Sequence, residues 1–453
     1  MEKTKYSTRY VSRIVLEAKT PFAIGSGEKD LLTDAIVAKD VNGLPYLPGT
    51  SLAGVIRSAC GATMQDATVF GYQNNKEGHG SRVIFSDGVM LGKDGNPIDG
   101  LQVIDRSDDF YAHFMTLPVR QHVRINSKGS ADKGGKFDEQ VTYKGTRFCF
   151  EMELLSTSSA EDAEAYNAML KTLCKDTFRV GSGTRNGFGL MKVVSLQRRD
   201  YNLNNCNDLE SYVLRSASLS KPLAGAKDVV IASHVDKRWQ RYTLTLKPAD
   251  FFLFSSGMGD VDADITPVSE AYIEWTDSKP TFKERGVLIP ATSVKGALAH
   301  RTAYYWNKLN NRFADGDGDK PLTGEANPAV VAIFGKSGQD SDKEIKRGNI
   351  MLSDVIIPAA KKDDSEKIMS HVAIDRFTGG TIDGALFFEK VTNGRGREIV
   401  LTVDVLRDII DNDDNTGKAF EMALQDIADG LLPLGGGVNR GNGTFTGTLI
   451  KED

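Results

Sequence analysis

Cysteine is scarce in this chain of 453 residues: Cys60, Cys149, Cys174 and Cys206 stand far apart, with no CxxC pair and no paired histidine. That spacing excludes a disulfide framework and a structural zinc site. No run approaches the 18 apolar residues of a membrane span, and MEKTKYSTRYVSRIVLEAK carries charges where a signal peptide needs an apolar core. A cytoplasmic protein with no membrane partner is expected. The glycine-rich stretches lack the Gly-Lys-Ser/Thr that closes a triphosphate-binding loop. DGDGDK (Asp315 to Lys320) is no calcium loop either, because Lys320 takes the place of the turn glycine and Ala326 that of the bidentate glutamate.

What is present is a globular composition, 40% hydrophobic and 26% charged, in a chain too long for one ordinary core. A net charge of −5 is awkward for a nucleic-acid binder. Locally the balance reverses. Between Val119 and Arg147, seven basic residues (Arg120, Arg124, Lys128, Lys133, Lys136, Lys144, Arg147) face three acidic ones (Asp132, Asp138, Glu139). A basic arm on a mildly acidic body is a nucleic-acid footprint.

The chain repeats itself, with four matches in the same order. FAIGSG (Phe22 to Gly27) pairs with FLFSSG (Phe252 to Gly257), and LPGTSLAGVIRSA (Leu47 to Ala59) with IPATSVKGALAHR (Ile289 to Arg301). HVRINSKGSADKGGKFDEQVT (His122 to Thr142) pairs with HVAIDRFTGGTIDGALFFEKVT (His371 to Thr392), and VGSGTRNGFG (Val180 to Gly189) with LGGGVNRGNG (Leu434 to Gly443). A Phe-Gly followed by a strand ending in Ser-Asp also recurs, at Ser86-Asp87 and Ser353-Asp354. Across the four matches the offset between copies grows from 230 through 242 and 249 to 254, as small loop insertions would make it. Copy one spans 1–198, a connector 199–238, and copy two 239–453.

Each copy opens on a stretch of period-2 alternation (Tyr10 to Ala18; Tyr242 to Lys247), which predicts a half-buried strand. Behind Pro48 and Pro290 the apolar spacing predicts a helix, capped by Thr50 and Thr292 or the serines after them. Further helices are predicted over Ala160 to Cys174, Val405 to Asp411 and Lys418 to Leu431, and final strands over Leu190 to Leu196 and Thr444 to Ile450. This order predicts an α+β fold, two tandem RRM-like or ferredoxin-like domains.

The stretch from His122 to Thr142 reads as a protruding β-hairpin whose return strand offers Phe137 and Val141, with Leu386, Phe387 and Phe388 in copy two, for stacking on bases. The glycine loops, with Gly181, Gly183 and Gly187 beside Arg185, and Gly435, Gly437 and Gly441 beside Arg440, can offer amides and charge to phosphates. Plain tight turns are the alternative reading of these loops.

With these motifs the chain resembles the RAMP superfamily, which forms the backbone of type III CRISPR effector complexes. Two fused copies resemble the tandem backbone subunit of subtype III-D. The resemblance implies RRM-like palms with β-hairpin thumbs, binding to a guide RNA and a complementary target RNA, and assembly with other type III effector subunits. It also implies an aspartate, in the loop after the first strand, that cuts target RNA at a displaced nucleotide. In TDAIVAKDVNGLPYLPGTS that residue is Asp34. In copy two the corresponding run is SEAYIEWTDSKPTFKERGVLIPATS, with Glu270 where the aspartate falls, Asp262 and Asp264 a little upstream in the same loop, and Ala291 in place of the motif glycine. The expected RNA contacts are Ser51, Arg57, Arg120, His122, Arg124, Lys136, Phe137 and the first glycine loop, then Ser293, Lys295, Arg301, His371, Arg376, Phe387 and the second glycine loop.

The expected activity is that of a metal-dependent endoribonuclease acting within the assembled complex. A displaced nucleotide turns the ribose 2′-OH in line with its own phosphate. A carboxylate of ordinary acidity is a poor base, so Asp34 is expected to hold a divalent cation, Mg or Mn, with Glu270 or Asp264 as its counterpart. A scaffold that binds RNA without cutting is one alternative. A stand-alone nuclease that processes CRISPR repeats is another, disfavoured because such relatives use a histidine near the first helix and none precedes His79.

Overall fold

A computed structural model describes residues 6–28, 33–60, 69–74, 77–126, 128–315, 321–337, 345–358, 366–411 and 415–452. Most of the DGDGDK stretch, 316–320, lies outside them. Each copy is built on one antiparallel sheet. In the first, Thr8–Ala18 lies between Met191–Asn202 and Arg147–Ser156, and Val83–Phe85 forms the far edge. In the second, Trp239–Pro248 lies between Phe445–Lys451 and Ile399–Leu406, with Ile350–Leu352 beyond. Both sheets therefore run last strand, first, third, second, the ferredoxin-like order, and two helices cover one face of each. In copy one these are Gly49–Cys60 and Ala160–Leu173, in copy two Ala291–Leu309 and Thr416–Ala428.

Neither motif helix is capped by its own threonine. The chain turns helical at Gly49 and Ala291, two residues too early for that, and the cap comes from across the fold. Asp87 Oδ1 accepts the Gly49 N–H at 2.8 Å, and Asp354 Oδ1 accepts the Ala291 N–H at 2.8 Å. A carboxylate at a helix N-terminus satisfies an orphan donor and meets the positive end of the dipole. The recurring Ser-Asp is thus a helix cap supplied from another strand. The helix predicted from Val405 dissolves likewise: the strand runs to Leu406 and only Arg407–Ile410 is helical.

The connector does more than join. The strand of copy one runs past the expected boundary to Asn202, and Lys227–Asp228 adds a further strand beside it. Leu219 and Leu223 pack on the sheet face opposite the helices, and Arg215 binds Glu151 and Glu153 there. This cover explains why Arg13, a polar position on that face, is buried, paired to Glu151 at 3.1 Å; Ser12 points to the opposite face, under the helices, with Ile14 and Leu16. In copy two the first strand keeps its alternation, since nothing comparable lies over it among the described residues.

Both predicted hairpins are present. Val119–Ile125 pairs with Ala131–Gln140, and Glu366–His371 with Phe387–Asn393. Their pairing is equivalent, His122 facing Phe137 and His371 facing Phe387. Copy two has a second hairpin, Ser269–Thr276 with Lys279–Ile289, where copy one makes a short turn between Lys39 and Pro45. Its Phe282 packs among Phe110, Phe114 and Tyr143 of copy one, and the Trp275 indole donates to the Gly145 carbonyl at 2.7 Å.

Candidate RNA interface and cleavage site

At the root of each hairpin the same group of side chains recurs. In copy one the His122 ring stacks on Phe137, centroids 4.7 Å apart, and its Nε2 lies 3.8 Å from Glu139. In copy two His371 stacks on Phe387 at 4.9 Å and its Nε2 lies 3.0 Å from Glu389. Burial, and then the Arg120 charge, lower the His122 pKa, while burial raises the Glu139 carboxyl despite a hydrogen bond from Ser182. Glu389 differs. Burial alone would raise it, but Arg440 and His371 hold it below the usual carboxylate range, and Asn442 also donates to it at 3.1 Å. Glu139 and Glu389 were not singled out in the sequence, although the DEQVT and FEKVT ends of the hairpin motif align them.

Beside this group stands one exposed aspartate per copy. Asp34 Oδ2 accepts the backbone N–H of Asp138 at 3.1 Å, and Asp264 Oδ2 accepts that of Phe388 at 2.8 Å. The following residues make matching parallel bridges, Ala35 to Glu139 and Ile265 to Glu389. Asp264, not Glu270, is therefore the counterpart of Asp34. The offset of 230 set at FAIGSG still holds here, and the insertion that raises it to 242 at IPATS lies in the hairpin between Ser269 and Ile289. Glu270 corresponds to Asp40 and is buried, its carboxylate holding Arg120 with one contact at 2.7 Å. Asp262, together with Asp260, binds the Lys390 ammonium.

Several expected RNA contacts serve the junction between copies instead. Arg120 is buried, bound to Glu270 and Asp354 of copy two, with its guanidinium 4.8 Å from the Phe188 ring. Arg124 reaches Glu325 at 2.8 Å and Ser337 at 3.0 Å. Arg185 covers Trp239 and donates to the Gly348 carbonyl, and burial lowers its pKa to about 9. Lys295 donates to Asn186 at 3.1 Å, its pKa pushed down to about 8 by burial and by Arg185. Arg301 is tied to Asp426 between the two helices of copy two. Arg120 and Arg301 cannot reach a phosphate without leaving a buried carboxylate unpaired.

The glycine loops are likewise spent on the protein's own backbone. Gly181, at φ +94°, and Gly435, at φ +97°, lie against the carbonyls of Ala23 and Leu253, and a Cβ would come within 2.3 and 2.4 Å of those oxygens. Next to them Ser182 and Gly436 donate their amides to the same two carbonyls, each at 2.7 Å. Gly187 backs onto Asp354 and Ala291. Gly183 and Gly437 close against their own loops, and Gly441 faces open space.

What remains exposed clusters on the hairpins. Lys128, Lys133, Lys136 and Phe137 are exposed on the first, and Arg376, Phe377, Leu386 and Phe388 on the second, joined by Val123, Ile125, Ile368 and Ile374. His371 and Phe387 are partly covered, and Arg440 is exposed while bound to Glu389, 5.6 Å from the Phe387 ring. Ser51 and Arg57 are half-exposed on the first helix and Ser293 is exposed at the start of its counterpart. Basic tips on apolar, aromatic strands suit stacking against unpaired bases.

A bound cation would need several oxygen ligands. Among the described residues no group of three His, Cys, Asp or Glu side chains could hold one, and each exposed aspartate has one oxygen already committed to the hairpin backbone. The protein side of the site does not fit a resident divalent cation. Among the described residues no helix is long and apolar enough to cross a membrane.

No curated protein matches the chain. The family model of the RAMP superfamily matches residues 15–192 and 280–446, one stretch in each copy and more than half of the whole. Two ferredoxin-like sheets with paired hairpins and glycine loops, matched twice by one model, place this chain in the RAMP superfamily, a CRISPR-associated, RNA-binding family.

Proposed function

We propose that this protein lies along a guide RNA as a backbone subunit of a type III CRISPR ribonucleoprotein, resembling the tandem subunit of subtype III-D, and cuts the paired target RNA at two positions. The observation that carries this reading is the equivalence of Asp34 and Asp264, each exposed and pinned at the root of a hairpin beside a stacked histidine and phenylalanine. Guide RNA, target RNA and neighbouring effector subunits are its partners.

The hairpin's exposed apolar strand wedges a nucleotide out of the duplex, which turns its 2′-OH towards the adjacent phosphorus. The 2′-oxygen then forms the new P–O bond as the 5′-oxygen of the next nucleotide leaves; the 2′-OH proton passes to solvent and the leaving oxygen takes one from solvent, giving a 2′,3′-cyclic phosphate and a 5′-hydroxyl. In-line positioning supplies most of the rate in such a step. The free Oδ1 of Asp34 or Asp264 accepts the 2′-OH hydrogen bond and aims the oxygen. No step is assigned to a cation, for which the protein supplies one carboxylate oxygen at each site.

Mapping target-RNA cuts in the assembled complex tests this. Asp34→Ala removes one cut, Asp264→Ala removes another, and target binding is unchanged in both. Cuts that persist in the double variant refute it. A second reading, a scaffold that does not cut, is favoured by the same hydrogen bonds to Asp138 and Phe388, since they give each aspartate a purely structural use. A wild-type complex that leaves target RNA intact would establish it.

A further inference from the structure

The junction between the copies is heterologous: the hairpin root and glycine loop of copy one press on the helix start and Ser-Asp cap of copy two. Each copy owns both halves of this contact, so the chain is left with one unused half at each end. On copy one the receiving half is free. Asp87 Oδ1 caps Gly49 as Asp354 Oδ1 caps Ala291, but where Asp354 Oδ2 binds Arg120, Asp87 Oδ2 has no partner among the described residues, and Asp87 is exposed.

The neighbourhood agrees. Copy two meets copy one through the apolar side chains of its hairpin, Ile273 and Phe282. At the corresponding turn of copy one, Val41 is 74% exposed, with Leu101 at 81% and Val103 at 103% beside it. Asn42 holds the three together through Gly100 and Gln102, both at 2.9 Å. An apolar group rimmed by carboxylates on an otherwise well-packed domain marks an interaction site.

The presenting half left over on copy two does not complement it. Aligning the hairpins on His122 and His371 puts Met369 at the position of Arg120, and aligning the glycine loops puts Asn439 at that of Arg185 and Pro433 at that of Arg179. A second copy of this chain, stacked by the same operation, would bury Asp87 against Met369 and leave its carboxylate unpaired.

We propose that the Asp87 face of copy one docks a separate polypeptide of the same fold that carries an arginine at the root of its hairpin, and that this chain does not stack on itself. The proposal rests on the internal junction, not on RNA cleavage. Sedimentation velocity of the full chain tests it. The wild type is expected to give one monomer boundary at every concentration. Met369→Arg/Asn439→Arg supplies the missing cations and is expected to give larger species as concentration rises, and Asp87→Asn added to that variant abolishes them. Met369→Arg alone, checked by its thermal melt, is held to the same outcomes should the double variant melt early. Wild-type oligomers, a stably folded arginine variant that stays monomeric, or association indifferent to Asp87→Asn would each overturn the proposal.

Discussion

Replacing Arg120 by methionine separates a buried junction from an RNA contact. The arginine side chain is 7% exposed, those of Glu270 and Asp354 are 7% and 0%, and its guanidinium makes two hydrogen bonds to the first and one to the second. Methionine fills much of the volume and supplies no charge. Both carboxylates then remain buried without an ion-pair partner among the described residues, and breaking a buried pair in this way costs about 3–5 kcal/mol. Asp354 stays anchored by the Ala291 amide, so the greater part of the loss falls on Glu270. The second change, Glu270→Leu in the same chain, should therefore restore most of the stability, because an apolar pair of similar volume is often neutral or better. Denaturant unfolding followed by tryptophan fluorescence reports it directly, since Trp239 lies at the junction under Arg185. A loss below about 1 kcal/mol for Arg120→Met, or no recovery on adding Glu270→Leu, would refute the reasoning. A variant of unchanged stability whose RNA affinity fell with a shallower salt dependence would return Arg120 to the nucleic-acid interface.

Other outcomes follow from the same geometry. Asp162 is buried against Arg82 and accepts from Ser156 and Thr157; burial would raise its carboxyl, but the Arg82 and Thr157 hydrogen bonds hold it at about 2. Its folded pKa lies below the unfolded one, so the stability it contributes is present above about pH 4 and is lost as pH falls towards 2. Asp162→Asn should cost about 2 kcal/mol at pH 7 in a denaturant titration, with the gap from wild type closing across that acid window. Phe137→Ala and Phe387→Ala should each weaken RNA binding by about 1–3 kcal/mol with an unchanged salt slope, whereas Lys128, Lys133 and Lys136 changed together to alanine should flatten the slope in filter-binding titrations. Cys206 is exposed, while burial pushes the Cys149 thiol up to about 12. A thiol reagent should label Cys206 in the native protein and Cys149 only after denaturation.

The sequence by itself determined the duplication, the α+β class and the two hairpins. All of these are written in local signals: matching motifs in matching order, period-2 alternation, and turn residues between apolar runs. The offset of 230 even pointed to Asp264, since no residue is inserted between FLFSSG and that loop. Tertiary structure alone decided what the charged and glycine residues do. Whether an arginine meets a phosphate or a carboxylate depends on what lies opposite it, and Arg120 finds its partners 150 and 234 residues away. Glycine spacing shows that some backbone must come close, yet only the folded chain reveals that it is the protein's own strand, at Ala23 and Leu253. Likewise, alternation in Thr8–Ala18 describes one buried face, and burial of the other follows from a connector whose docking no local pattern records.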